Sequence, residues 1–268
     1  MKNRNSILDY YQDINGSYLH AHGERGTEHL LQKLDLHPGE KVLEIGFGTG
    51  ATLVKIISRY PFIELFGVET SSTMLEKARS RLQFCGVTTK IALSLMPSID
   101  RLNFEDDSFD KIYVESVLAI QEDSVIVELL REIYRILKPG GKVVMNETLW
   151  LPEIIYEEIA KINTICKSKF GIIQSTGKYK TWNDWSELLK INGFELLRFE
   201  SIDSMVTLET RERKHWQEWL SRLFSIIGLL SGMIHNRLRS ERKEYTEAMK
   251  DIFENKKYME GYLIIARK

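Results

Sequence analysis

The chain contains few of the residues that mark several large protein classes. Its 268 residues include only two cysteines, Cys85 and Cys166, too few for a disulfide framework or a zinc site built on cysteine. The formal net charge is −1, so there is no basic excess of the kind that nucleic-acid partners require. We therefore predict no nucleic-acid partner.

Targeting segments and long apolar runs are also lacking. The N-terminus has no apolar stretch typical of a secretory signal, which predicts a cytoplasmic protein. One apolar stretch has an uncharged core from Leu223 to His235, which is too short to span a bilayer as a helix. Because Arg222, Arg237 and Arg239 flank this stretch, peripheral contact with a membrane surface stays open.

Patterns typical of strands and helices alternate through the first half of the chain. The predicted strands there are 41–45, 64–69, 89–93, 110–114 and 142–146, with helices at 51–59, 72–84 and 125–137. Beyond residue 150 we predict helices at 151–170 and 181–191, strands at 194–201 and 258–266, and a helical stretch near 207–256. The alternation predicts an α/β fold with a parallel sheet covered on both faces.

The loop after the first strand, VLEIGFGTG, predicts a ligand. Its glycines, Gly46, Gly48 and Gly50, are spaced G-x-G-x-G, unlike the G-x-G-x-x-G loop of dinucleotide-binding proteins. Glu44 would repel a pyrophosphate but accept an ammonium group, and Glu69 ends the second strand, where an acid can bind both ribose hydroxyls. A ligand with an adenosine, an amino group and no phosphate is S-adenosylmethionine (SAM).

Three motifs then carry a family resemblance. VLEIGFGTG, FEDDSFDKIYV and LLREIYRILKPGGKVVM together resemble the class I SAM-dependent methyltransferases, closest to the small-molecule branch of the ubiquinone/menaquinone enzymes. The resemblance implies a Rossmann-like seven-stranded sheet whose last strand is antiparallel, with helical lid elements at the N-terminus and before the last strand. It implies one domain over 1–268, with an N-terminal helical cap (1–36), a SAM-binding core (37–150) and acceptor-side helices with the last two strands (151–268).

The resemblance also implies roles for individual residues. The glycines would wrap the methionine part of SAM, Glu69 would hold the ribose, and Ser98 stands where relatives often have an acid that reaches the adenine. Phe47, where relatives often carry a smaller residue, would narrow the cofactor mouth. The predicted cofactor-binding residues are Glu44, Gly46, Phe47, Gly48, Thr49, Gly50, Glu69, Thr70, Met74, Ser98 and Glu115.

Methyl transfer needs a base only when the acceptor must lose a proton. Glu115 and Glu147 end the fourth and fifth strands, where ligands bind in such sheets, and His20 and His22 precede the core in a loop. These four residues are the predicted catalytic candidates. The histidines lack the spacing of a metal site, so we predict no metal.

The helical stretch before the last strand carries a stripe of large apolar residues. The stripe consists of Trp216, Leu220, Leu223, Phe224, Ile227, Leu230 and Ile234. Such a stripe indicates either core packing or the roof of an acceptor pocket, to which Tyr18, Trp150 and Phe224 would contribute.

An apolar pocket predicts methyl transfer to a small apolar acceptor such as a lipid, isoprenoid, quinone or polyketide-like molecule. Arg211, Arg213 and Lys214 would meet an acidic head group or form an ordinary solvated face. A methyltransferase acting on a peptide or other macromolecule, and a non-catalytic SAM-binding partner subunit, are the alternatives. The oligomeric state does not follow from the sequence.

Overall fold

The computed structural model describes residues 6–20, 22–96, 98, 101–205 and 215–268. Its strands are β1 (Lys41–Ile45), β2 (Glu64–Glu69), β3 (Ile91–Leu95), β4 (Phe109–Glu115), β5 (Leu137–Trp150), β6 (Glu195–Ser201) and β7 (Met259–Arg267). Its helices are α1 (Ile7–Asp13), α2 (Gly23–Leu34), α3 (Ala51–Arg59), α4 (Ser72–Phe84), α5 (Asp123–Ile136), α6 (Tyr156–Phe170), α7 (Trp182–Ile191), α8 (Trp216–Ile234) and α9 (Asn236–Phe253).

The strands form one seven-stranded sheet in the order β3-β2-β1-β4-β5-β7-β6. β1 to β5 pair in parallel, and β7 runs antiparallel to both of its neighbours. The predicted fold class is therefore confirmed. The strand order reverses between β1 and β4, and in such sheets ligands bind in the crevice at the carboxyl ends of the strands flanking this point.

Helices cover both faces of the sheet. Apolar side chains of α5 and α7 pack on one face, and those of α2, α3 and α4 pack on the other. The apolar periodicity of these segments places their hydrophobic residues on one side, so each helix buries a stripe against the strands. The two layers fix the ends of β1, β2 and β4 relative to one another.

Several predicted boundaries differ from those of the structure. β3 begins at Ile91 because a 3₁₀ turn occupies Thr88–Lys90. β5 is longer than predicted because its pairing with β7 continues to Trp150. α6 begins at Tyr156, five residues later than predicted, because the Leu151 amide still donates to Tyr258 in the strand ladder.

The predicted apolar stripe of α8 is core packing only in part, and none of its residues lines the cavity at the strand ends. Leu220, Leu223 and Phe224 are half-buried, and Leu220 packs on the core. Trp216, Ile227, Leu230 and Ile234 are exposed. The buried residues of α8 are instead Glu218, Ser221, Ser225, Gly228 and Gly232. Small side chains permit a close approach to α1, so α8 packs closely through its small residues and turns most of its large ones outward.

Within the described part of the chain, the helices are either too short or too polar to cross a bilayer. Arg211, Arg213 and Lys214, the predicted contacts to an acidic head group, lie outside the described residues.

Candidate cofactor and acceptor site

A cavity of about 590 Å³ opens at the carboxyl ends of β1, β2 and β4. Its size suits a small molecule, and ligand sites of this kind lie at the switch point of the strand order. Ten of the eleven predicted cofactor-binding residues line it: Glu44, Gly46, Phe47, Gly48, Thr49, Glu69, Thr70, Met74, Ser98 and Glu115.

The glycine loop between β1 and α3 needs its glycines for two different reasons. Gly46 has φ +76°, and a Cβ there would clash with Val117 across the cavity mouth. Gly50, with φ +79°, would place a Cβ 3.0 Å from that of Ala78 in α4. Gly50 therefore serves packing between α3 and α4, which explains why it does not line the cavity.

Glu44 is a buried carboxylate that faces the cavity. It is 3% exposed, and the Tyr113 hydroxyl donates to its Oε2 at 2.6 Å. Among the described residues no lysine, arginine or histidine forms an ion pair with it, and burial raises the pKa of the Glu44 carboxyl well above its usual value. A cationic group of a ligand would therefore gain a buried partner here.

Glu69 ties the glycine loop to the end of β2. Its carboxylate accepts hydrogen bonds from the amides of Gly48 at 3.0 Å, Thr70 at 2.8 Å and Ser71 at 3.0 Å. These bonds hold the carboxylate at the cavity wall. Oε1 accepts from both Thr70 and Ser71, whereas Oε2 accepts from Gly48 and keeps a lone pair for a ligand hydroxyl.

Phe47 packs into the core as well as lining the cavity. Its ring fills the space that a side chain at Gly67 of β2 would need, since a Cβ there would lie 2.7 Å from Phe47 Cδ1. Because Gly67 has no side chain, the glycine loop can accommodate the large ring of Phe47. The neighbouring Thr49 hydroxyl donates to the Gly16 carbonyl at 2.5 Å, which joins the loop to the N-terminal segment.

His20 and Glu115 meet at the centre of the cavity wall. His20 Nε2 lies 3.0 Å from Glu115 Oε2, and the Asn146 amide nitrogen lies 3.1 Å from His20 Nδ1. Glu115 also accepts the hydroxyls of Thr27 and Thr52, each at 2.9 Å. The Glu115 carboxylate thus fixes the orientation of the buried His20 ring through one ring nitrogen, an arrangement that is common for general bases.

The other two catalytic candidates do not line the cavity. Glu147 is fully buried and accepts the amides of Val117 at 3.1 Å, Leu118 at 3.0 Å and Ala119 at 3.1 Å, and burial raises its pKa to about 7. Glu147 therefore holds the loop after β4. The structure contradicts the predicted base role because both of its oxygens face this loop.

His22 is likewise turned away, and its Nε2 lies 3.2 Å from Asp203 Oδ1. Its backbone is left-handed at the start of α2, with φ +60°, which directs its side chain away from His20. The structure therefore places His22 beside Asp203, near the surface, instead of in the cavity.

Only one of the three predicted acceptor contacts lines the cavity. Tyr18 does so, with Lys55 Nζ 5.2 Å from its ring centroid. Trp150 is buried elsewhere and donates to the carbonyls of Ser175 and Thr176. Phe224 of α8 packs against Phe84, so the predicted acceptor roles of Trp150 and Phe224 are corrected.

Sequence reasoning missed the acceptor end of the cavity. Residues of α1, of the segment that follows it, of the β4–α5 connection and of α5 form this end, where aliphatic side chains lie beside Asp9, Gln121 and Glu128. The residues of this end include Leu8, Gln12, Leu19, Val117, Ile120 and Val125. The only sequence signal was that Val117-Leu118-Ala119-Ile120 stands after β4, where relatives commonly show a histidine pair.

Arg81 is a second residue that the patterns did not single out. It is fully buried in α4, and its guanidinium donates to the Thr49 carbonyl at 2.8 Å, the Asn15 carbonyl at 2.9 Å and the Ser221 carbonyl at 2.8 Å. Arg81 thereby joins the glycine loop, the N-terminal segment and α8. A charge three residues after Ala78 on the apolar side of α4 was the available signal.

A cluster of charged residues lies outside the cavity, between α2, α3 and α8. It consists of Glu24, Glu28, Glu218, Lys55, Arg59 and Arg222. The three carboxylates approach one another closely, and each is paired with a lysine or arginine of the chain. The cluster therefore forms an ion-pair network that joins three helices.

Residues 42–141 match a family model described as a methyltransferase domain. Methyltransferase GfsG of Streptomyces halstedii is 26% identical over 181 residues, which cover 67% of this chain and 62% of that protein. The ubiquinone/menaquinone biosynthesis C-methyltransferase UbiE of Geotalea daltonii is 30% identical over 118 residues, 44% of this chain and 49% of that protein. The matched part thus spans only about half to three fifths of these relatives.

A solved structure, the [4+2]-cyclase SpnF, resembles the fold with a TM-score of 0.71 at 19% identity, covering 98% of this chain and 92% of that one. At this identity the likeness concerns the fold alone. Residues 42–141 thus carry a methyltransferase domain, and the fold and the cavity around it resemble those of class I SAM-dependent methyltransferases such as the quinone enzymes.

Proposed function

We propose that the protein transfers a methyl group from SAM to a small, uncharged and largely apolar acceptor. The observation that carries this proposal is one continuous cavity with two chemically different ends. Buried Glu44 and Glu69 lie at one end, and aliphatic side chains lie at the other. SAM bound there would supply a methyl group to the acceptor atom, with S-adenosylhomocysteine as the leaving group.

Glu44 and Glu69 support the placement of the methyl donor. The Glu44 carboxylate lacks a cationic partner among the described residues and suits the ammonium of the methionine part. Glu69 stands at the end of β2, where a carboxylate can accept the ribose hydroxyls. Gly46, Gly48 and Thr49 would line the path between them.

The charge of the cavity supports an uncharged acceptor. Its described lining includes the carboxylates of Asp9, Glu44, Glu69, Glu115 and Glu128 and contains no lysine or arginine. A phosphate or carboxylate on the acceptor would be repelled by this lining. The aliphatic end instead favours burial of a neutral apolar molecule.

His20 is the residue that we propose takes the proton from an acceptor hydroxyl. Its Nε2 faces Glu115, so Nδ1, which lies 3.1 Å from the Asn146 amide nitrogen, is the atom that would take the proton, and Glu115 would stabilise the resulting imidazolium. The residues around it otherwise contribute by positioning the acceptor and excluding water. The described lining contains no tryptophan and leaves the cavity open, which favours a catalytic protein over a non-catalytic SAM-binding subunit.

A radiolabelled methyl-transfer screen tests this proposal. The acceptors would be neutral phenols, hydroquinones and macrolactones, with isoprenoid diphosphates and fatty acids as anionic counterparts. We expect label transfer to at least one neutral class and none to the anionic ones. Transfer to anionic acceptors alone would refute the acceptor class, and no thermal shift with S-adenosylhomocysteine would refute the cofactor site.

A further inference from the structure

One long helix presents its large apolar side chains to solvent. We define the apolar face of α8 as Trp216, Trp219, Ile227, Leu230, Met233 and Ile234, which are 62%, 63%, 48%, 55%, 54% and 80% exposed. Single exposed apolar residues are ordinary on soluble proteins, but a contiguous set of this size marks an interaction surface.

The opposite side of α8 fixes this orientation. Gly228 packs against the end of α1, where an added Cβ would clash with the Ile14 carbonyl oxygen. The Asn15 side-chain amide donates to the Phe224 carbonyl at 3.3 Å, which locks the two elements together. Large side chains have no room on this side, so the exposed apolar face is a consequence of how α8 is packed.

The width of the apolar face indicates what covers it. At 3.6 residues per turn the face spans roughly 120°; Ile226 falls within it, and Leu229 extends it to roughly 160°. Pairing with a single helix needs a narrower seam. A helix that lies in the plane of a membrane interface presents such a broad apolar side, often with tryptophans on it.

The charges around the face favour an anionic surface. Glu218, the only acidic residue in α8, is buried and pairs with Arg59 at 2.7 Å. Arg237 and Arg239 follow Ile234 within five residues and are exposed. Arg237 also pairs with Asp13 at 2.8 Å, whereas Arg239 forms no ion pair among the described residues. Arginines beside an apolar helix face attract anionic lipid head groups.

We propose that the apolar face of α8 binds an anionic membrane surface, with the helix lying in the interface. α1 contributes Leu8 and Gln12 to the cavity and packs on α8 just beyond its own end, so the membrane would lie beside one cavity wall. A lipid-dissolved acceptor would then be close to the cavity. This last consequence rests on the proposed function, whereas membrane binding by α8 does not.

Vesicle co-sedimentation of the full chain, without SAM or acceptor, tests the proposal. Vesicles of phosphatidylcholine mixed with phosphatidylserine should pellet the wild-type protein more strongly than phosphatidylcholine alone. The triple variant Ile227→Ser, Leu230→Ser and Met233→Ser should lower the partition coefficient by at least about tenfold. The matched control is Phe62→Ser with Ile191→Ser, which removes two apolar residues, 75% and 73% exposed, that lie outside α8. This control should leave the partition coefficient unchanged.

Three outcomes would overturn the proposal. The wild-type protein could stay in the supernatant at every lipid concentration, or the triple variant could sediment as well as the wild type. Alternatively, sedimentation velocity could show a dimer that the triple variant dissociates, in which case a second copy of the chain covers the face. The thermal shift with S-adenosylhomocysteine, measured on the same samples, reports the cofactor site independently.

Discussion

Replacing Glu44 with glutamine removes one buried ionisable group and changes the shape of the side chain little. Glutamine has nearly the same shape, and its amide oxygen can still accept the Tyr113 hydroxyl that lies 2.6 Å from Glu44. Burial raises the folded-state pKa of Glu44 above its unfolded value, so the carboxylate destabilises the fold as pH rises from the unfolded pKa towards the folded one. We therefore expect Glu44→Gln to leave the Tm of the free protein at neutral pH unchanged or higher.

The same substitution should weaken cofactor binding strongly. Loss of one partner of a buried charge pair costs about 2–5 kcal/mol, and about 1.4 kcal/mol corresponds to tenfold in Kd. The Kd for S-adenosylhomocysteine should thus rise by roughly 30-fold to several thousand-fold.

Isothermal titration calorimetry with two ligands separates this effect from general damage to the site. 5′-Methylthioadenosine has the adenosine but no amino acid part, so its Kd should change little in Glu44→Gln. A Kd for S-adenosylhomocysteine that changes less than about threefold, or an equal loss for both ligands, would refute the assignment of Glu44 to the ammonium group.

The affinity for S-adenosylhomocysteine should depend on pH, and the direction of this dependence follows from the ionisation of Glu44. Ammonium binding favours the ionised form of Glu44, so the complex has a lower Glu44 pKa than the free protein, whose pKa burial raises. Affinity for S-adenosylhomocysteine should therefore increase with pH while the free carboxyl ionises. This increase should be absent in Glu44→Gln, and its persistence there would assign it to another group.

Three further substitutions test the remaining features. Gly46→Ala should lower the free energy of unfolding by about 1–3 kcal/mol and abolish SAM binding, because its Cβ would clash with Val117. The control Gly39→Ala, at φ +85° with no atom near its Cβ, should retain SAM binding in calorimetry. Glu218→Gln should cost about 1–3 kcal/mol in urea unfolding, because Arg59 loses its charged partner in α8 but keeps Glu28. A cost below about 1 kcal/mol, as expected for an exposed pair, would contradict the network. His20→Gln should lower kcat for a hydroxyl acceptor by about 10²–10⁴-fold and flatten the pH profile of kcat, while the Kd for S-adenosylhomocysteine stays the same. An unchanged pH profile would exclude His20 as the base.

Most of the cofactor end of the cavity was predictable because its residues are close to one another in sequence or lie at strand ends. Glu44 and the glycines belong to one strand–loop–helix unit, and Glu69 ends the adjacent strand. In a parallel sheet such ends converge at one edge, so local patterns were sufficient to bring these residues together. Gly50 is the exception, because its contact with Ala78 depends on how α3 and α4 pack.

The catalytic and acceptor residues were less predictable. Glu115 and Glu147 both end strands, yet Glu115 lines the cavity and Glu147 holds backbone amides of the next loop. Adjacent strand ends look alike in sequence, and only the path of the following loop decides which carboxylate faces the ligand. His20 and His22 differ in the same way, because a left-handed residue at position 22 separates their directions.

The sequence by itself determined the order of strands and helices, the glycine loop and the type of ligand, because each of these depends on local spacing and on the direction of parallel strands. The tertiary structure alone decided which side of α8 faces inward. That helix carries a stripe of large apolar residues and a stripe of small ones, and periodicity cannot say which is buried. The close approach of Ile14 to Gly228 settles the choice, since only small residues fit between α1 and α8.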